Sequence, residues 1–155
     1  MKKLILAFVC VGLISVFAQN PLEKISTKLQ LKMQSDSQSD KILVWTFFTD
    51  KGNNLDAYFS NPESVVSQKS LVRRAKVLNA SKLINFSDLP INQFYVDQIA
   101  QNGFALKHRS KWFNAVSGYA TEQQINQITQ FSFVKRLDIV GTYGVSRNNI
   151  EFEQT

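Results

Sequence analysis

Histidine, serine and carboxylate side chains are the residues of this chain that could do hydrolytic chemistry. The single histidine, His108, lies between Lys107 and Arg109. Flanking positive charge lowers the basicity of an imidazole, whereas a catalytic triad needs a histidine base held against a nucleophile and a carboxylate. The segment from Gly144 to Arg147 lacks the glycine pattern of a nucleophile elbow. His108 is therefore interpreted as a structural or surface residue, and no catalytic residue is assigned.

The chain also lacks the residues that a metal site or a cofactor site needs. One histidine, one cysteine and scattered carboxylates give no metal-ligand spacing. The glycines are isolated and form no phosphate-binding loop, and Asp50 and Asp56 flank a turn signal. The sequence predicts no metal and no cofactor, and the chain as it stands lacks the means to be an enzyme.

Residues 1–18 have the shape of a secretory signal peptide, with Met1-Lys2-Lys3 followed by an apolar run from Leu4 to Ala18. This run falls short of the roughly 20 apolar residues of a membrane-spanning helix, so stable membrane insertion is not expected once the signal is removed. Cleavage is predicted after Ala18, which makes the mature protein secreted or extracytoplasmic. Bulky residues before Cys10 disfavour lipidation, and the mature chain would have no cysteine.

The mature chain would contain 137 residues (155 minus 18), enough for one domain. Loss of Lys2 and Lys3 lowers its formal net charge from +6 to +4. This excess is spread along the chain, so a solvated surface is favoured over nucleic-acid binding. Residues 19–40 end in the polar stretch from Gln34 to Asp40 and are predicted to form a flexible leader.

Order is expected to begin at a strand from Lys41 to Thr49, which is followed by a turn at Asp50 to Asn53. Because side chains alternate across a strand, one face carries Ile42, Val44 and Phe48 and the other carries Leu43, Trp45 and Phe47. Both faces are apolar. The strand is therefore expected to be covered on both sides, and the pattern leaves open which face points outward.

Helix and strand signals then alternate up to residue 140. Asn61 and Pro62 predict the start of a helix that carries Leu71, Ala75 and Leu78 on one side. A second helix is predicted from Asn92 to Gly103, where Ile91 and Val96 have the spacing of a hydrophobic staple. Two strands follow between Phe104 and Ala120, joined near Phe113-Asn114, and the alternation of the first strand is expected to include His108, Ser110 and Trp112. A capping box at Thr121 opens another helix, and the last strand runs from Phe133 to Val140.

This order of elements predicts an α+β, ferredoxin-like split β-α-β-β-α-β sandwich with an extra helix in the first crossover. Right-handed crossovers place the helices on one face of the sheet. The opposite face is then open although the first strand is apolar on both sides. An exposed apolar patch of several hundred square ångströms tends to mark an interface, so this face should have a partner.

Four segments of the chain are specific enough to compare with known families. They are Trp45 to Gly52, Ser67 to Arg74, Asp88 to Ile91 with Tyr95, and Ser110 to Ser117. These segments resemble the prodomains of secreted bacterial subtilisin-like serine proteases, the subtilases, and occur in the same order as in those prodomains, so that the resemblance covers Ile42 to about Val140. Ser67 to Arg74 is similar to a prodomain helix with a paired arginine, and no processing cut is assigned there because a site within a folded helix is poorly accessible.

The resemblance implies a prodomain at residues 41–140 that docks its sheet on a subtilase catalytic domain, assists the folding of that domain and inhibits it until removal. The candidate docking residues are Leu43, Trp45, Phe47 and Trp112, although simple core filling is the alternative for both tryptophans. Residues 141–155 would be the tail that lies in the active-site cleft. The full precursor would be a serine endopeptidase.

The catalytic Asp, His and Ser segments that the resemblance implies would follow Thr155. The chain is therefore interpreted as a fragment, the product of a split gene, or a stand-alone secreted inhibitor that acts on a subtilase in trans. A secreted ferredoxin-like module that binds an unrelated protein is the further alternative. These readings share the same open sheet face and differ in its partner.

Overall fold

The structure is a computed structural model that describes residues 21–141 except for residues 39 and 54. Four strands and five α-helices occur in this part of the chain, together with short 3-10 helices. The helices are α1 (Thr27–Ser35), α2 (Asp56–Ser60), α3 (Gln68–Ala75), α4 (Gln93–Gln101) and α5 (Glu122–Ile128). The strands are β1 (Ile42–Phe48), β2 (Ala105–Ser110), β3 (Ala115–Ala120) and β4 (Val134–Ile139). Turns of 3-10 helix lie at Pro21–Lys24, Pro62–Ser64, Ala80–Lys82 and Phe86–Asp88.

The four strands form one antiparallel sheet in the order β2-β3-β1-β4. Strand β1 pairs with β3 on one side and with β4 on the other, so it lies in the interior of the sheet. The chain crosses from β1 to β2 through α4 and from β3 to β4 through α5. This is the predicted α+β, ferredoxin-like split arrangement, which is confirmed.

One face of the sheet and the helices enclose the main core. Strand β1 contributes Ile42, Val44 and Phe48, all of which are buried. Helices α4 and α5 contribute Val96, Ile99, Ile125 and Ile128 to the same cluster, and strands β3 and β4 contribute Val116, Val134 and Leu137. The helices therefore cover a single face of the sheet, as the handedness of the crossovers predicts.

The N-terminal segment is part of this core, so the expectation of a flexible leader is wrong over its described part. Ile25 pairs with Leu137 at the edge of β4 in a parallel bridge, and Leu29 on α1 has no exposed surface. Lys24 donates hydrogen bonds to the carbonyl oxygens of Thr129 (3.0 Å) and Phe131 (2.9 Å), which follow α5 in the chain. The polar composition of residues 34–40 suggests disorder, although the buried residues Ile25 and Leu29 precede this stretch.

The first crossover contains a larger insertion than the single extra helix that the sequence predicts. The helix expected from Pro62 onwards is divided into a 3-10 turn at Pro62–Ser64 and helix α3, and the Asn61 side chain caps neither. Leu71 is buried, but Leu78 is 42% exposed and lies beyond the end of α3. The insertion has its own small apolar cluster, formed by Val66, Leu71, Ile84 and Leu89.

The remaining helix boundaries follow the predicted capping signals. The Asn92 side chain accepts a hydrogen bond from the Phe94 N–H at the start of α4, and Gly103 after α4 has a φ of 85°. Thr121 and Gln124 form the predicted capping box of α5. Among the described residues, none of the helices combines the length and apolar character that crossing a membrane requires.

Candidate protein-docking face

The open face is the side of the sheet opposite the helices. Burial alternates along β1, and Leu43, Trp45 and Phe47 are the partly exposed residues between the buried ones. Directly paired residues of an antiparallel sheet point to the same side. The pairing register of β1 with β3 and β4 therefore shows which residues share this face.

Strand β3 continues the face next to β1. Tyr119 lies opposite Leu43, Ser117 opposite Trp45, and Ala115 opposite Phe47. Tyr119 is 38% exposed, whereas Ser117 and Ala115 are buried. The result is an apolar surface whose middle is formed by β1.

Strand β2 extends the face to the edge of the sheet. His108 pairs with Ser117 after a bulge that begins at Leu106, and it is exposed. Within the described part of the chain, the His108 side chain makes neither a hydrogen bond nor an ion pair, as expected for a surface residue. Lys107 places its ammonium group 5.4 Å from the centre of the Tyr119 ring.

Aromatic rings cluster at the end of the face where β2 turns into β3. Trp45 lies 6.2 Å from Phe47 and 6.2 Å from Phe113, the latter at an interplanar angle of 85°. Phe113 and Trp112 are 66% and 72% exposed. Two exposed aromatic rings, Trp112 and Phe113, beside the partly exposed rings of Trp45 and Phe47 are typical of a binding face.

The turn that carries Trp112 and Phe113 is held by Asn114. This residue has a φ of 49°, and its side chain donates hydrogen bonds to the carbonyl oxygens of Phe48 (3.3 Å) and Asp50 (2.6 Å). Asparagine tolerates a positive φ better than most residues. The sequence pattern placed Trp112 within the alternation of β2, but the strand ends at Ser110, so Trp112 lies in the turn instead.

Strand β4 adds charge at the other border of the face. Arg136 lies opposite Phe47 and Asp138 opposite Trp45. The Arg136 guanidinium stacks 3.7 Å from the centre of the Phe47 ring and donates a hydrogen bond of 2.9 Å to Asp138. Partial burial opposes ionisation of Asp138, but hydrogen bonds from Ser26 and Arg136 outweigh it and lower the pKa of this carboxyl group.

The structure brings all four predicted docking residues to one side of the sheet and adds others that sequence reasoning missed. Leu43, Trp45 and Phe47 lie on β1, and Trp112 lies at the end of the same surface. The missed residues are Tyr119, Phe113 and Arg136. The alternation of β3 could have identified Tyr119, whereas Arg136 depends on a pairing register between distant strands.

Some predictions fall on residues outside the described part of the chain. These are the signal peptide and Cys10, together with the tail beyond Gly141. Within the described residues, no group of three or more His, Cys, Asp or Glu side chains is placed to hold a metal ion.

Comparison with known proteins gives one family match. The family model for the peptidase S8 propeptide domain of Bacteroidota matches residues 43–154, which include strands β2, β3 and β4, all of β1 after Ile42, and all four candidate docking residues. No curated protein and no solved structure matches the chain. Since the family match covers well over half of the sequence, the chain belongs to the peptidase S8 propeptide family of Bacteroidota and contains the prodomain of a subtilisin-like protease.

Proposed function

We propose that this prodomain docks its open sheet face on a subtilase catalytic domain, assists the folding of that domain and blocks its active site until the prodomain is removed. The family implies a subtilase catalytic domain as the partner. The proposed docking residues are Leu43, Trp45, Phe47 and Trp112. Residues 141–155 are the proposed inhibitory tail.

The observation that carries this proposal is a sheet that its own helices cover on one side only. Leu43, Trp45 and Phe47 remain partly exposed in the middle of the sheet, where a folded monomer would normally bury them. Burial of apolar surface contributes about 25 cal/mol per Å², so contact through this face would stabilise the folded states of both the prodomain and the catalytic domain. An apolar face that is buried only when the partner is folded and bound would favour folding of that partner.

The path of the chain supports the role of the tail. The Val140 N–H donates a hydrogen bond of 3.0 Å to the Leu43 carbonyl oxygen, so the chain leaves the sheet beside the first residues of β1. An extended chain spans about 3.3 Å per residue, so residues 142–155 could reach about 45 Å from this point. Docking of the sheet would hold the tail at a high effective concentration near the active site, and cleavage of the tail would weaken inhibition.

The experiment measures inhibition of the active subtilase catalytic domain of the precursor by the purified chain. Trp112→Ala is the test variant because Trp112 is 72% exposed and contributes little to the core. Loss of an aromatic anchor at an interface is expected to raise the inhibition constant by about tenfold or more. Phe94→Ala on α4 is the matched control, since Phe94 is 60% exposed but lies on the helical side.

Equal inhibition by the chain and by Trp112→Ala, or no inhibition at micromolar concentration, would count against the docking face. Assisted folding is measured separately, as the yield of active protease after dilution of the denatured catalytic domain with and without the chain. If the chain does not change the yield of active protease, the proposed folding role is refuted and only the proposed inhibitory role remains. The reading frame beyond Thr155 distinguishes a partner in cis from a partner in trans.

We also propose that residues 1–18 export the protein and are removed after Ala18. Subtilase propeptides belong to secreted or extracellular proteases, which agrees with this order of events. Mass spectrometry of the exported protein should find an N-terminus at Gln19. Retention of the first 18 residues in the exported protein would contradict the cleavage.

A further inference from the structure

A cleft of about 400 Å³ lies at the end of the open face, where β1 leaves the sheet. Unlike the middle of the face, which is formed by sheet strands alone, the cleft also has walls from outside the sheet. The end of β1, the β2–β3 turn and the insertion of the first crossover all contribute to these walls. The lining residues that matter here are Phe47, Phe86, Trp112, Phe113, Lys135 and Arg136.

The walls of the cleft are largely aromatic. Phe86 is contributed by the insertion and is 47% exposed, and the Lys51 ammonium group lies 5.1 Å from the centre of its ring. Trp112 and Phe113 are contributed by the turn between β2 and β3. Rigid rings that are exposed in the free protein lose little conformational entropy on binding, so the cleft suits an apolar side chain of a partner.

The lip of the cleft is cationic. Lys135 is exposed, and its ammonium group makes neither a hydrogen bond nor an ion pair among the described residues. Arg136 is held by the Phe47 ring on one side and by Asp138 on the other. Its hydrogen bond to Asp138 uses Nη1 alone, which leaves further N–H donors for a carboxylate. A guanidinium held in this way loses little freedom when it pairs.

None of the residues that line the cleft is acidic. Two carboxyl groups next to the cleft already accept hydrogen bonds: Asp138 from Ser26 and Arg136, and Asp50 from Thr49 and Tyr95. A second copy of this chain is a poor occupant, because its own open face would bring the same cations against Lys135 and Arg136. The charge of the lip therefore favours an acidic partner surface.

We infer that the surface covering this end of the face is acidic, and that it places a carboxylate of the subtilase catalytic domain against Lys135 and Arg136 beside an apolar side chain that enters the aromatic cleft. This inference rests on the proposed docking function and specifies the chemistry of the partner. It makes association with the catalytic domain sensitive to salt, because paired charges at the border of an interface accelerate encounter.

The test measures binding of the full chain to the subtilase catalytic domain of the precursor, with its active-site serine blocked by an irreversible inhibitor. Association rates are recorded between 20 and about 500 mM NaCl, a range over which the screening length falls severalfold. The double variant Lys135→Gln with Arg136→Gln should bind about tenfold more weakly at low salt and should lose most of the salt dependence. The single variants Lys135→Gln and Lys135→Glu leave the Phe47–Arg136 stack in place. Of these two, Lys135→Glu should bind more weakly, because it reverses the charge instead of removing it.

The matched control is Lys69→Gln with Lys76→Gln, which removes the same charge from exposed positions at helix α3 in the insertion. Unchanged binding of this control supports a local effect of the lip rather than of net charge. If Trp112→Ala weakens binding but the Lys135 and Arg136 variants do not, docking stands and the acidic partner surface is refuted. If neither changes binding, the docking function itself fails.

Discussion

Leu29 offers a direct test of whether the N-terminal segment belongs to the folded domain. This residue lies on α1, has no exposed surface and belongs to the main core cluster. Leu29→Ala removes apolar groups worth about 2–2.5 kcal/mol in transfer free energy. The cavity left behind adds to this loss, so we expect the free energy of unfolding to fall by about 3 kcal/mol.

Leu31→Ala is the matched control because Leu31 lies on the same helix and is 60% exposed. Both substitutions change helix propensity equally, so the difference between them isolates burial. A surface substitution of this kind is expected to change stability by less than about 0.5 kcal/mol.

The assay is urea unfolding of the full chain, followed by circular dichroism and by the fluorescence of Trp45 and Trp112. Coincident transitions in the two signals would establish two-state behaviour and allow the free energies to be compared. Similar effects of Leu29→Ala and Leu31→Ala, both below about 0.5 kcal/mol, would refute the docking of α1 on the sheet.

Three further predictions concern the insertion and the sheet. Hydrogen bonds from Arg74 lower the pKa of Asp88, so Asp88→Asn should cost about 2 kcal/mol at pH 7, and its deficit in urea midpoint should disappear as the pH falls through the carboxyl pKa. Burial lowers the pKa of Lys51 to about 8, so the folded state binds fewer protons than the unfolded state above that pH, and urea midpoints should rise between pH 8 and 10 relative to Lys51→Met. A Cβ at Gly118 would overlap the Phe104 ring and the backbone of β2, so Gly118→Ala should lower stability by about 2 kcal/mol, measured by thermal unfolding.

The order of strands and the ferredoxin-like arrangement were predictable because local signals agree with the fold. The capping residues Asn92 and Thr121 and the turn at Gly103 all lie where the sequence places helix ends. Each of these signals depends on neighbours within about one helical turn, so no knowledge of the tertiary structure is needed.

The orientation of β1 could not be predicted, because both of its faces are apolar. The structure shows that Val44 points to the helices and Trp45 away from them. This choice depends on where α4 and α5 pack, which a local pattern does not contain. The alternation of β2 does not place Trp112 correctly either, because the strand ends at Ser110 and Trp112 lies in the turn that contains the positive φ of Asn114.

The folding of the N-terminal segment is not evident from its composition, because its polar end outweighs its apolar start. Ile25 lies just before the N-cap Ser26, and Leu29 lies in the first turn of α1. Their partners on β4 are more than a hundred residues away in the sequence, so burial at this site could not be derived from composition. The family match begins at residue 43, which leaves this stabilising segment outside the matched region.

The paired arginine of α3 connects the insertion to the proposed docking face. Arg74 donates hydrogen bonds of 2.7 and 2.9 Å to the two carboxyl oxygens of Asp88, and another of 2.8 Å to the Leu83 carbonyl oxygen. Asp88 in turn accepts from the Asn85 N–H and closes the capping box of the 3-10 helix Phe86–Asp88. Because Phe86 forms a wall of the aromatic cleft, the Arg74–Asp88 pair holds that wall in place, so Asp88→Asn should weaken partner binding as well as stability.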